Sequence, residues 1–342
     1  MVALSSPNPR LNLRFGDYAD ISKVMDFINS HWKKSHILSR DRALLEFLYL
    51  EKTKRLNFVI ATDTLTDRCI AILGFIPTNS MDSRVSLALW RAVNDADARL
   101  LKAGLASLRY LVKELSPRSL LCVGIELQAV KIYNYLGYFT EIMDHYLIIN
   151  AKLTEFKILV NPPRLDNSVI KSPSNHKVDV ISTVKELNAI SKKFNFMKFG
   201  KDTEYLIHRY LKHPQFDYSM RHVAVNSKTV GLIVTRRCFA NDRSCIRIID
   251  VLGGEPCISV AIGSLVKEME DFGDEYIDLV SWGLDHEQIK RIGFIDRRHH
   301  KNLVVPEHFM PFVSENKDIS IFTNSPDTEQ LFKGDGDMDR PN

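Results

Sequence analysis

The chain has 342 residues and carries 46 Lys and Arg residues against 42 Asp and Glu residues. This length accommodates two domains of ordinary size. The two signs of charge are interspersed, which argues against nucleic acid as the main partner, because nucleic-acid binding usually needs a clustered basic face. No apolar run approaches the ~20 residues that cross a bilayer, and no secretory leader is recognisable. We therefore expect a cytoplasmic protein with five reduced cysteines in apolar surroundings.

The first part of the chain predicts two helices followed by a β-hairpin. Residues up to Arg14 are expected to be mobile at the start. The apolar periodicity of residues 17–30, with Asp20 as a cap, indicates the first helix. The other predicted elements are a helix over residues 43–50 that begins after Asp41, and two strands over residues 57–62 and 69–76.

The next stretch predicts a strand, a helix, a second strand and a second helix. These elements are a strand over residues 86–90, a polar link over 94–97, a helix from Leu101 to Pro117, a strand over 119–125 and a helix over 128–136 that Gly137 ends. The run 119–125 is rich in β-formers and does not alternate, which is typical of a strand buried on both faces.

Gly104 and Ala106 lie where the first of these helices begins. Small residues at a helix N-terminus let a ligand approach the exposed N–H groups, and the helix dipole favours an anion such as a pyrophosphate. Close packing of the helix on the sheet is the alternative explanation for the same residues. A bulky side chain at Gly104 would separate the two interpretations.

The same stretch resembles the core of the GNAT (Gcn5-related) acyltransferases. The family's acyl-CoA loop has the form Gln/Arg-x-x-Gly-x-Gly/Ala, whose last two fixed positions are Gly104 and Ala106, whereas Leu101 replaces the Gln or Arg. The family's second pattern, Tyr-x-x-x-Gly-Phe/Tyr, is complete from Tyr133 to Tyr138. The resemblance implies a mixed α/β fold and acyl-CoA as co-substrate, and no metal is expected.

The resemblance also implies roles for individual residues. Asp97 or Asp95 would take the proton from the acceptor amine or orient it, and Tyr133 would donate a proton to the departing thiolate. The structural alternatives are a solvated loop with a helix cap for the aspartates and a core aromatic for the tyrosine. The remaining candidates are Lys102, Ala103, Gly104, Leu105 and Ala106 for the carrier, and Trp90 and Glu126 for the substrate, with Glu126 also a rival base and Trp90 also a core aromatic.

The pattern starts again after residues 161–175, which are rich in Pro, Ser and Asn and indicate a linker. The later predicted elements are helices over 183–194 and 203–211, strands over 222–225, 230–236 and 244–251, a helix over 259–272, a strand over 276–282 and a helix over 287–292. Gly293, which ends the last helix, corresponds to Gly137 in the first half.

This repetition predicts two tandem GNAT-like modules, each a twisted mixed sheet flanked by helices. We place a catalytic, acyl-CoA-binding module at residues 1–160, closed by a strand over 145–149, then a linker at 161–176 and a degenerate module at 177–342. In the second module Glu255 would repel a pyrophosphate, and Ile289 stands where the first module has Tyr133. The second module is therefore expected to complete the substrate site without acyl-CoA chemistry of its own.

Two further features suggest metal ligands at first sight. Asp335, Asp337 and Asp339 alternate as in a calcium loop, but the turn glycine and the bidentate glutamate of such a loop are missing. A disordered or docked tail is the expectation. The pair His299 and His300 lacks a third ligand at metal spacing, so a surface pair is expected.

The tail and the tandem modules are also similar to the N-acyltransferases of amino-deoxy nucleotide sugars, a group found with enzymes of surface polysaccharides such as O-antigen. The expected function is thus direct transfer of an acyl group from acyl-CoA to an amine, on an amino sugar carried by a nucleotide. One alternative is an aminoacyl transferase of the peptidoglycan-bridge type that uses aminoacyl-tRNA. The other is a non-catalytic module that binds CoA or a nucleotide, for which Leu101 is the best support.

Overall fold

The computed structural model describes residues 9–94, 100, 102–164, 170 and 173–341. The chain forms two compact units, unit 1 with residues 1–121 and unit 2 with residues 122–341. The division falls within a strand and lies earlier in the chain than the linker expected at 161–176, of which residue His176 already begins a strand.

Unit 1 is built from both strands and helices. They are β1 (Leu11–Asp17), α1 (Ile21–Phe27), α2 (Ile37–Arg40), α3 (Arg42–Tyr49), β2 (Arg55–Asp63), β3 (Cys69–Pro77), β4 (Arg84–Ala92), α4 (Ala103–Leu115) and the start of β5 (Ser119–Ile125). A π-helical turn, Ile28–Trp32, continues α1.

The sheet of unit 1 has the order β1-β2-β3-β4-β5. The first four strands pair in antiparallel fashion, and β4 pairs with β5 in parallel. A parallel step needs a crossover, which α4 provides. Because β2 and β3 are buried over nearly their whole lengths, this sheet is of the kind that is covered on both faces.

The start of the described chain corrects one expectation. Residues up to Arg14 were expected to be mobile, but β1 pairs with β2 from Leu11 to Asp17. The first helical turn is capped by Asp17 rather than Asp20: the Asp17 carboxylate accepts from the N–H of Ala19, and Asp20 completes the capping box. Asp20 also forms an ion pair with Arg14, on β1, at 2.6 Å. The strand is thus stabilised by contacts that its local sequence pattern does not reveal.

Unit 2 contains the rest of β5 and most of the shorter elements. They are α5 (Leu127–Tyr135), β6 (Phe139–Ile142), β7 (Asp144–Ile149), β8 (His176–Ile181), α6 (Val184–Ser191), α7 (Thr203–Leu206), β9 (Ser219–Val225), β10 (Lys228–Ala240), β11 (Arg243–Leu252), α8 (Gly254–Phe272), β12 (Tyr276–Trp282), α9 (His286–Ile292), β13 (Ile295–Asp296), β14 (His308–Phe309), β15 (Phe312–Val313), β16 (Ser320–Thr323) and β17 (Leu331–Phe332). A π-helical turn, Ile207–Leu211, continues α7.

The main sheet of unit 2 repeats the strand order of unit 1. β8, β9, β10 and β11 pair in antiparallel fashion, and β11 pairs with β12 in parallel, with α8 as the crossover. This repetition confirms the predicted fold class, a mixed α/β fold with two sheets flanked by helices. The crossover helix α8 supplies a large share of the core beneath the sheet, including Cys257, Ile258, Ile262, Leu265 and Met269.

Two predicted elements of unit 2 differ from the structure. The strand over residues 145–149 was expected to close the first module, but as β7 it pairs with β12, from Asp144–Ser281 to Ile149–Tyr276. Long-range pairing of this kind leaves no local pattern in the sequence. The helix expected to begin at Ser259 begins at Gly254, because Glu255 and Pro256 fit the first turn of a helix. Among the described residues, no helix is both long enough and apolar enough to span a membrane.

Candidate active site

The N-terminus of α4 holds the residues predicted to bind the carrier. α4 has 13 residues, and Lys102, which precedes it, makes no side-chain hydrogen bond to the helix. Lys102 is exposed, Ala103 is buried, and Gly104, Leu105 and Ala106 are half-buried. A helix start with such small side chains offers its first N–H groups and the positive end of its dipole to an anion.

Gly104 is also fixed by its packing against the sheet. The indole Nε1 of Trp90, on β4, donates a hydrogen bond to the carbonyl oxygen of Gly104 at 3.0 Å. A Cβ atom at residue 104 would lie 3.2 Å from the same nitrogen. Close helix–sheet packing is therefore one reason for the glycine, and a carrier cradle remains compatible with it. The hydrogen bond accounts for the position of Trp90, whose predicted stacking on substrate stays a prediction.

The strand that precedes α4 leaves its parallel neighbour early. β4 pairs with β5 from Arg84–Ser119 to Ser86–Leu121, whereas its pairing with β3 continues to Ala92. The carboxyl end of β4 and the N-terminus of α4 are thus consecutive features of unit 1, and ligands of α/β folds bind at such strand ends. Asp95 and Asp97, the predicted bases, follow β4 in sequence and lie outside the described residues, as does Leu101.

Tyr133, the predicted acid, lies on α5 in unit 2. Its side chain is 2% exposed, and its ring stacks on Phe322 with centroids 3.9 Å apart. Burial raises the pKa of its hydroxyl well above the ordinary value, so the group carries its proton at neutral pH. The packing agrees with a core aromatic, and the acid role stays a prediction.

Glu126, the other predicted substrate residue, precedes α5. It is exposed and makes no capping hydrogen bond to that helix. Just before it, Gly124 has φ of +85°, and a Cβ atom there would lie 2.5 Å from the sulfur of Met338. The positive φ favours glycine at this position, whereas the Met338 side chain is flexible and could move away from a Cβ atom.

In unit 2 the first turn of α8 contains the acidic residue Glu255, whereas the first turn of α4 contains no acidic residue. The Glu255 carboxylate accepts a hydrogen bond from the N–H of Asp285 at 2.6 Å. A cleft beside it is lined by Asp285, Glu287, Ser259 and Arg291 among others. A protein carboxylate thus already lies between the starts of α8 and α9, and Ile289, in place of a tyrosine, is fully buried.

Two groupings in unit 2 were missed by the sequence. His286 and Asp296 lie beside His299, with one donor atom of each within 4.8 Å of the others, a grouping that the spacing in the sequence does not indicate. The Asp296 carboxylate is already paired with Arg298 at 3.0 Å. The second grouping is a buried set of charges around the last residues of the chain, which only the three-dimensional contacts reveal.

Comparison with protein-family models and with curated protein sequences finds no match. Solved structures do match. The GCN5-related N-acetyltransferase from Anabaena variabilis ATCC 29413 has a TM-score of 0.56 at 10% identity, over 92% of this chain and 72% of that protein. A conserved protein of unknown function from Enterococcus faecalis V583, described as a probable N-acyltransferase, has a TM-score of 0.55 at 8% identity, over 92% of this chain and 71% of that protein. At these identities the likeness establishes the fold: the chain has the mixed α/β fold of these GNAT structures, in a tandem arrangement.

Proposed function

We propose that the chain is an N-acyltransferase that moves an acyl group from acyl-CoA to an amine. The observation that carries the proposal is the start of α4, which has small residues and no side-chain cap. It follows the carboxyl end of a β4 strand that has left its parallel neighbour. The pyrophosphate of CoA is the anion that such a helix start suits. The fold shared with N-acetyltransferases supports the same function.

In the proposed reaction, side chains of the protein accept and donate the protons. The lone pair of the acceptor amine attacks the thioester carbonyl carbon, the C–S bond breaks, and an amide and free CoA result. The amine proton passes to a base, for which Asp97 or Asp95 is proposed, and the thiolate takes a proton from an acid, for which Tyr133 is proposed. Tyr133 carries its proton at neutral pH, as a donor must, but the burial that raises its pKa also makes it a weaker acid, so its role is tested by substitution.

The acceptor that we propose is the amine of an amino-deoxy sugar carried by a nucleotide. It rests on the similarity of the tail and the tandem modules to enzymes of that class. Glu126, exposed at the carboxyl end of β5, is the side chain that we assign to contact with this acceptor.

The test is release of free thiol from a panel of acyl-CoAs, with and without nucleotide-linked amino sugars. Thiol release that depends on the sugar supports the proposal. Release without an acceptor indicates hydrolysis alone. Stabilisation of the fold by CoA without any turnover would indicate a binding module instead. A salt-dependent mobility shift of aminoacyl-tRNA, with no use of acyl-CoA, would favour the peptidoglycan-bridge type of transferase.

A further inference from the structure

The last described residues of the chain, 331–341, are mostly buried in unit 2 although five of these eleven side chains are charged. We call residues 331–341 the C-terminal tail. Asp335 is 0% exposed and Asp339 is 2% exposed. Burying a carboxylate is costly unless a cation and hydrogen-bond donors compensate it. The cations and hydrogen-bond donors around these carboxylates must therefore stabilise the buried tail.

The backbone of the tail joins two strands where they separate. β11 and β12 pair in parallel only from Ile246–Ile277 to Ile248–Leu279. Beyond that point β17, at the start of the tail, pairs with β12 through Ser281–Phe332 and Trp282–Leu331. The N–H of Gly334 then donates to the carbonyl oxygen of Ile249, on β11, at 2.7 Å. Residues 331 and 332 thus add to the edge of β12 as a short strand, and residues 333–339 then follow turns and bends.

The site admits no side chain at residue 334. A Cβ atom there would lie 2.5 Å from the hydroxyl oxygen of Tyr210 and 2.8 Å from the carbonyl oxygen of Ile249. Tyr210 in turn donates to the Asp250 carboxylate at 2.6 Å. The wall of the site is thus built from groups that are themselves fixed, so the site is specific for glycine at this point of the bound segment.

Three cations face the tail: Lys201 and Arg209, which are buried, and Arg236, which is half-buried. The resident carboxylate among them is Asp250, whose two oxygens each lie 2.6 Å from Lys201 Nζ. The tail supplies the others, since Lys201 lies 3.1 Å from Asp335 and Arg236 lies 2.6 Å from Asp339. Without the tail, positive charge would be in excess at this buried place.

Asp339 is the most fully recognised residue of the tail. Its carboxylate accepts hydrogen bonds from Arg236 and, at 2.8 Å, from the Tyr218 hydroxyl. Its carbonyl oxygen accepts from Arg209 at 2.9 Å. At the other end of the tail, Lys333 pairs with Glu307. The cations and aromatic hydroxyls contact individual polar groups of the tail, so the site is expected to prefer this acidic sequence over others.

We propose that the slot between β11 and β12, with Lys201, Arg209 and Arg236, is a binding site for an acidic peptide that enters as a short strand and then turns, and that the chain's own C-terminal tail is its ligand. The segment 324–330, which precedes the tail, has no helix or strand and exposes Asn324, Asp327 and Thr328. It can therefore be cut after folding without breaking a regular element. This inference does not depend on the acyltransferase proposal.

The test uses the full chain with a protease recognition sequence inserted between Asp327 and Thr328. The folded chain is cleaved, and a fluorescent peptide of residues 331–342 is added in excess. We expect the labelled peptide to replace the cleaved tail and to co-elute with the protein on size exclusion. Unlabelled native peptide should compete with it, while a peptide with Asp339→Asn should compete at least about tenfold less well, because a charge-assisted bond is lost.

A peptide with the same residues in scrambled order is the control, because it keeps the net charge of the tail and loses its sequence. We expect it not to compete with the labelled peptide. Three results would overturn the proposal: unfolding of the protein on cleavage, as seen by circular dichroism; no uptake of the labelled peptide; or equal competition by the native and Asp339→Asn peptides.

Discussion

The indole N–H of Trp90 bonds to the carbonyl oxygen of Gly104 and thereby ties the first turn of α4 to β4 in unit 1. The same turn carries the residues proposed to bind the CoA pyrophosphate. The position of that turn and the affinity for the carrier should therefore change together when the hydrogen bond is removed.

Trp90→Phe tests this link. The substitution keeps an aromatic ring but removes the donor, so we expect the free energy of unfolding to fall by about 1 kcal/mol and the affinity for CoA to fall with it. Trp32→Phe is the control, because Trp32 stacks on His36 at a different place in unit 1. Urea unfolding measures the free energy of unfolding, and calorimetric titration with CoA measures the affinity, for both variants. Equal affinities for the two variants would show that the hydrogen bond does not position the carrier site.

Tyr133→Phe tests the proposed acid. The phenylalanine keeps the stacking on Phe322 and removes only the hydroxyl. We expect turnover to fall by about 10²- to 10⁴-fold with CoA affinity unchanged. Tyr138→Phe, beside it on the same cluster, should leave turnover close to that of the native chain. If Tyr133→Phe turns over normally, the thiolate takes its proton from another group.

The buried pair of Arg247 and Asp278, 2.8 Å apart, predicts a pH dependence of stability in unit 2. Burial opposes ionisation of Asp278, but Arg247 and His145 outweigh it and hold the pKa of Asp278 below its ordinary value. A depressed pKa contributes stability that is present above the unfolded-state value of about 4 and is lost as the pH falls below it. Urea unfolding between pH 6 and pH 2.5 should show this loss.

Asp278→Asn should lower the free energy of unfolding at pH 7 by about 3–5 kcal/mol, since it removes one partner of a buried charge. Its stability should also fall less steeply with acid than that of the native chain. Asp271→Asn, at an exposed ion pair on α8, serves as the control and should leave the stability close to that of the native chain, because exposed ion pairs contribute little. A native-like acid profile for Asp278→Asn would assign the acid sensitivity to other carboxylates.

The carboxylate of Glu255 predicts the number of carriers that one chain binds. It accepts from the N–H of Asp285, at the helix start where unit 2 would otherwise receive a pyrophosphate, so like charge opposes binding there. Titration with CoA should give one equivalent per chain. Two equivalents would show that unit 2 also binds the carrier.

Local sequence patterns predicted the elements whose stability is local. The strands Ser119–Ile125 and Tyr276–Trp282 were placed at their observed bounds, because continuous β-rich runs bounded by turn residues are distinctive. The helix after Asp41 was also placed well, since its carboxylate caps the N–H of Leu44. The start of α4 near Gly104 and Ala106 was also predicted from the local sequence pattern.

Features that depend on distant partners were not predictable in this way. The pairing of β7 with β12 requires residues far apart in the chain, and no local period reveals it. The same holds for the tail, whose alternating aspartates left a docked and a disordered state equally open. Its burial follows from Arg236 and Lys201, which lie more than a hundred residues earlier in the sequence.

We propose that the start of α4 binds the diphosphate of CoA. Two charge reversals on this helix test that binding directly. Lys102→Glu adds a carboxylate at the N-terminus, which favours the helix itself but repels a pyrophosphate. Lys113→Glu makes the same change near the other end of α4, at an exposed side chain. In calorimetric titration with CoA, we expect at least a tenfold (~1.4 kcal/mol) weaker affinity for Lys102→Glu and a native affinity for Lys113→Glu. Native affinity in both variants would contradict binding of CoA at the start of α4.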